Sequence, residues 1–165
     1  MNAPHSLKST SINPANLIEL EALSQIVSEK QNNKDVRGSI PYLAKMAQII
    51  DNQRLEELTN NNEQQQRIQQ QTLYSLQADA HRQLGQAYLG AGLYTQAEAS
   101  LSITIQRLES LLKDNNGSTD TVLQLLQGYD LLKECFEVMN KPHLVQGMEN
   151  RKLKYTIPSP PGDQQ

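Results

Sequence analysis

Tryptophan is absent from this chain of 165 residues, phenylalanine occurs once, and aromatic residues make up only 4% of it. The core must therefore be built from Leu, Ile, Ala, Val and Tyr. That set suits packed helices better than a β-sandwich, whose strands draw on aromatic and β-branched side chains. Cys135 is the single cysteine, so no internal disulfide can form, and a reducing cytosolic or nuclear setting is expected. No apolar run approaches the roughly 18 residues that a membrane-spanning helix needs. Met1–Thr10 carries one Lys and no apolar stretch, unlike a secretory signal. Excess positive charge is also missing. Fifteen basic and eighteen acidic residues leave a net charge of -3, so the general attraction to phosphate that marks nucleic-acid binders is not expected.

The motifs of catalysis and metal binding are equally scarce. His5, His81 and His143 are far apart, and none stands four residues from another ligand on a helix face, so no metal or cofactor is expected. Cys135 lies in an apolar helical stretch between Glu134 and Phe136, where the neighbouring carboxylate disfavours a thiolate; it reads as a buried structural thiol. There is no phosphate-binding glycine loop and no Gly-x-Ser-x-Gly elbow. Asp114-Asn115-Asn116-Gly117 lacks the alternating ligands and closing Glu of a calcium loop. Ser159-Pro160 fits a proline-directed phosphosite and Pro158–Pro161 a short proline-rich ligand, both patterns short enough to arise by chance. The chain is not expected to be an enzyme.

What is present is helical periodicity. Residues 1–12 read as a loose arm. Asn13-Pro14 opens a helix to about Lys30, with Leu17, Leu20, Leu23 and Val27 on one face. Gly38 is assigned to a loop, and Ser39 to the cap of a second helix that has Pro41 in its first turn. Leu43, Met46, Ile49 and Ile50 form its buried face, and it runs to about Leu58. Nine of the twelve residues from Asn60 to Gln71 are amides, which reads as a solvated bridge or linker, or as a glutamine-rich coiled-coil seam; Ile68 is its one apolar residue. From Gln71 a third helix carries Leu73, Leu76, Ala80, Leu84, Ala87 and Tyr88, and Gly90-Ala91-Gly92 breaks it. A fourth spans Tyr94–Lys113 with Leu101, Ile105, Leu108 and Leu112, and a fifth runs from about Thr119 to Met139 with Leu123, Leu126, Tyr129, Leu132 and Phe136. A last helix starts at Pro142 and reaches about Leu153; Ile157–Pro161 cannot be helical, and 156–165 is expected to be a disordered proline-rich tail. Short turns between these helices force them antiparallel, and hairpins in series begin a superhelical stack. The expected fold is all-α, with residues 13–155 as one domain.

Leu84, Gly85, Tyr88, Gly92, Tyr94, Ala97 and Leu101 follow each other at the spacing of one tetratricopeptide repeat, and Ala78–Leu111 resembles that family. Gly85 and Ala97 are small enough for two helices to approach closely, Tyr88 and Tyr94 fill the turn, and Gly92 permits the backbone angle that ends a helix. His81 stands where the family has a large residue, and Glu109 where a helix-ending Pro is common. A second, decayed unit from Leu126 to about Leu153 would place Tyr129, Leu132, Phe136, Asn140 and Val145 at equivalent positions, with Lys133 for the packing Gly and Glu149 for the large residue. A register shifted by one, with Met148 in the large position, fits equally. Ahead of Gln71 no repeat can be aligned.

The resemblance implies a right-handed stack whose first helices line a groove for a partner's peptide or helix. It places Asp79, Arg82, Gln86 and Leu89 on that surface in the first unit, and Gln127, Asp130, Glu134 and Glu137 in the second. Asp130, Glu134 and Glu137 share one face in any register, either as a solvated charged stripe or as a contact for a basic or amphipathic partner segment. With Arg82 flanked by acids, capture of an acidic chaperone tail is not expected. The implied function is a protein-binding adaptor. The alternative is a structural or oligomerisation subunit that uses its helical faces and its glutamine-rich helix in a homo-oligomer or larger complex.

Overall fold

In the computed structural model, residues 12–53, 63–114 and 118–156 are described. The side chain of Asn13 accepts the Ala15 N–H at 3.0 Å, and Pro14, with no N–H to lose, takes the first helical position of α1 (Pro14–Asn32). Ile12, expected in the loose arm, is buried. α2 (Val36–Asp51) begins a turn before the expected Ser39 cap. Asp35 caps it instead, accepting the Gly38 N–H at 2.9 Å, because the chain reverses at once through Lys34 and presents that carboxylate to the new helix. Gly38 and Pro41 thus lie inside α2, Ser39 is buried, and the helix stops at Asp51 rather than Leu58. Residues 54–62 lie outside the described residues. The amide-rich stretch is helical from Glu63 and continuous with α3 (Glu63–Gly90), as the good helix propensity of glutamine allows. α4 (Tyr94–Lys113), α5 (Thr119–Val138) and α6 (Pro142–Thr156) follow the expected spans closely; Ser118 caps α5 by accepting the Thr121 N–H at 3.2 Å. Residues 1–11 and 157–165, which include the proline-rich tail, lie outside the described residues. Among the described residues every regular element is a helix.

Three helix pairs, α1/α2, α3/α4 and α5/α6, are each joined by a three-residue link, and the three joints share one geometry. The middle residue of each has a left-handed backbone: Lys34 at φ +57°, Gly92 at +75° and Asn140 at +56°. The next residue's N–H closes back on a carbonyl five positions earlier, Asp35 to Lys30 at 2.8 Å, Leu93 to Tyr88 at 2.8 Å and Lys141 to Phe136 at 2.9 Å. This 6→1 closure satisfies carbonyls left over at a helix end and turns the chain sharply. The joints therefore align the three hairpins, with Lys34, Gly92 and Asn140 as equivalent positions. A hairpin with the same joint thus precedes Gln71, where sequence alone aligned nothing because Lys34 stands in place of the telltale glycine. The register of the third hairpin is the one that equates Asn140 with Gly92.

Each helix packs on its sequence neighbours, and α3 also touches α5. The joints lie side by side along one edge. Arg37, just past the first, donates to the Ala91 carbonyl of the second at 2.8 Å; the Cys135 thiol and Lys141 of the third hairpin reach the Tyr94 carbonyl at 3.1 Å and Glu98 at 3.2 Å. One core fills the space among α1, α2 and α3 with Val27, Leu43, Ala47, Ile50, Ala80, Leu84 and Ala87. The other joins α3 through α6 around Ala97, Leu101, Leu108, Leu125, Tyr129 and Phe136. On α5 the inward residue is Leu125, wholly buried, whereas the expected core position Leu123 is 59% exposed.

Within the middle hairpin the close approach is direct. A Cβ on Gly85 would stand 2.7 Å from Leu101 Cγ, and Leu101 and Ala97 are fully buried. Tyr88 and Tyr94 pack half-buried around the turn. In the third hairpin the positions equivalent to Gly85 and Leu101 are Lys133 and Glu149, and they meet as an ion pair at 2.5 Å. Met148, one residue before, is the buried side chain of α6.

Candidate partner-binding groove

Counting back from the aligned joints assigns four sets of equivalent positions, here called rows, to α1, α3 and α5. Glu21, Asp79 and Gln127 form one row; Ser24, Arg82 and Asp130 the second; Ser28, Gln86 and Glu134 the third; Gln31, Leu89 and Glu137 the last. All are exposed except Arg82, which is partly covered, and Leu89, which leans onto the core. The four α1 residues were invisible to sequence reading, since the first hairpin had no alignment.

The candidate residues on α3 hold one another. Arg82 donates to the Asp79 carboxylate at 2.6 Å and to Gln86 Oε1 at 3.1 Å, and Gln83 donates to the same Asp79 at 2.8 Å. These pairs sit three and four positions apart, one turn along a helix. The structure thus joins Asp79, Arg82 and Gln86 into one local network. The acidic stripe on α5 is less free than its spacing suggests. Lys152 of α6 donates to Asp130 at 2.7 Å, and Lys133 stands 3.8 Å from Glu137. The Lys133 ammonium is held charged above the ordinary lysine range by its hydrogen bond to Glu149, then by the charges of Glu149, Glu137 and Asp130. Glu134 has no cation within ion-pair distance among the described residues.

The two departures from the repeat pattern are halves of a device that joins successive hairpins. Asp51, at the end of α2, accepts from His81 of α3 at 2.8 Å; Glu109, near the end of α4, accepts from the Tyr129 hydroxyl of α5 at 2.6 Å. Asp51 and Glu109 are equivalent positions, and so are His81 and Tyr129. Burial, then the bond to Glu109 and its charge, push the Tyr129 hydroxyl far above the ordinary tyrosine value. Arg151 of α6 also donates to Glu109 and stacks 5.4 Å over the Tyr129 ring. His81 is thus a packed side chain bonded across helices, and Cys135 is fully buried, its thiol pushed up in pKa chiefly by that burial. No family model, curated protein or solved structure matches the chain. No helix among the described residues is long and apolar enough to cross a membrane.

Proposed function

We propose that the chain is a tetratricopeptide-like interaction module that holds a basic or amphipathic segment of a protein partner across α1, α3 and α5. The observation that carries this is the row alignment: twelve equivalent positions on the first helix of each hairpin, almost all exposed, carry five carboxylates and one cation. Such a face repels acidic partners and attracts Lys- or Arg-bearing ones, with orientation set by charge and affinity by apolar anchors such as Leu89 and Val138, the latter 53% exposed. The lysines at Asp130 and Glu137 approach from outside the rows and soften the field without reversing it. The role is binding, without catalysis. A charge-reversed Asp130/Glu134/Glu137 triple variant is expected to fold normally and to lose a basic peptide partner at low salt; retained binding there refutes the acidic contact surface.

A second reading, a structural subunit, is favoured by Ile68, 49% exposed on the amide-rich start of α3. Light scattering on the isolated, dilute protein separates the two, a monomer supporting the adaptor and a stable dimer the subunit.

A further inference from the structure

Away from the groove, the ends of α4 and α6 stand apart over α5 and leave a cleft of about 450 Å³. Lys113 and Lys154 line it from the two helix ends, and Arg151, one turn before Lys154, lines it as well. The one carboxylate lining the cleft among the described residues, Glu109, is already engaged by the Tyr129 hydroxyl and by Arg151. Neither Lys113 nor Lys154 has a carboxylate within ion-pair distance among the described residues. Lysines at helix C-termini have an ordinary purpose, since each helix end carries about half a negative charge. Two ends offset roughly one of the three cations and Glu109 offsets another, so about one unit of positive charge remains. The rest of the lining is apolar and flat: Leu112, and the Tyr129 and Tyr155 rings 6.3 Å apart and tilted by 34°.

We propose that this cleft binds a small aromatic anion, a ring bearing a phosphate or carboxylate, with the charged group between Lys113, Arg151 and Lys154 and the ring against Tyr155 and Leu112. An apolar wall of this kind gives little to a bare inorganic ion, and the cations give little to a neutral ring, so the combination selects for both in one ligand. The guanidinium spends one nitrogen on Glu109, which leaves further donors for the incoming oxygens. Tyr129 does not serve the anion, because its proton is committed to Glu109. The ligand class is the same whether it arrives as a free molecule or as a modified aromatic side chain of a partner.

The test is a titration of the full chain with phenyl phosphate, inorganic phosphate, phenol and a phosphotyrosyl tetrapeptide, followed by NMR shifts of the Tyr129 and Tyr155 rings. Phenyl phosphate is expected to bind saturably and at least about tenfold more tightly than phosphate or phenol. The Lys113→Gln/Lys154→Gln double variant alters two exposed side chains, and is expected to keep its melting temperature and weaken binding about tenfold or more. Tighter binding of the tetrapeptide identifies a protein-borne ligand; equal binding identifies a free one. Absent ring shifts, equal affinity for inorganic phosphate, or undiminished binding by the double variant overturns the proposal.

Discussion

Three helical glycines differ in the space around them, and they turn helix packing into a graded measurement. A methyl group on Gly85 would meet Leu101 Cγ at 2.7 Å and Cδ2 at 2.8 Å; on Gly128 it would meet Ile105 Cγ1 at 3.3 Å; on Gly147 it would meet nothing within 4 Å. Replacing each with Ala improves helix propensity by about 1 kcal/mol, a gain common to all three. At Gly147 that gain stands alone, so Gly147→Ala is expected to be neutral to stabilising by up to about 1 kcal/mol. At Gly85 the methyl group must displace a wholly buried Leu101, and overpacking of this kind costs about 1–3 kcal/mol. The two variants are therefore expected to differ by about 1–3 kcal/mol, with Gly128→Ala between them. In a chain of this length that corresponds to roughly 2–12 °C in melting temperature between the extremes. Thermal and urea unfolding by circular dichroism read the difference directly. Gly85→Ala melting as high as Gly147→Ala would refute the close approach of α3 and α4.

A double-mutant cycle on Asp51 and His81, and a second on Glu109 and Tyr129, should each show a coupling of about 1 kcal/mol; strictly additive variants would show that these bonds do not join the hairpins. Because the folded Tyr129 hydroxyl titrates well above its unfolded value near 10, its contribution is intact below pH ~10 and is lost as pH rises from there through the folded value. Wild type should thus lose stability in alkali relative to Tyr129→Phe, and a constant difference between the two from pH 8 to 11 would contradict the burial argument. Cys135 is expected to resist a thiol reagent at pH 8 until the chain unfolds, since it is buried and its thiolate disfavoured; rapid labelling of native protein would contradict this.

The middle hairpin was legible because its small packing residues and its turn agreed. Gly85, Gly92 and Ala97 mark a close contact and a left-handed turn that few other residues tolerate, and α4 falls on the expected Tyr94–Lys113. The first hairpin was not legible because its turn uses Lys34 at a backbone angle the sequence does not announce, and because Ser39, chosen as a cap, is instead the buried small residue equivalent to Ala97. On α5, Leu125 stands four residues before Tyr129 and shares the buried face of Tyr129, Leu132 and Phe136, whereas the chemically similar Leu123 falls off that face. His81 and Glu109 looked like defects in the repeat. Each is one partner of a long-range bond, and no single sequence shows which carboxylate another helix will bring to it. The proposed groove positions were half legible: those on α3 and α5 followed from the resemblance, while Glu21, Ser24, Ser28 and Gln31 needed the turn geometry.

The most direct test of three hairpins stacked edge to edge is a set of spin-label distances among the turns. Exposed Lys34, Thr95 and His143, each replaced by labelled cysteine in pairs, report the three joints, while the fully buried Cys135 stays unlabelled. With helices packed about 8–10 Å apart, neighbouring joints should lie about 10 Å from each other and the outer two about 20 Å apart, before label length is added. A first-to-third distance no longer than the first-to-second, or broad distributions for all three pairs, would contradict the stack.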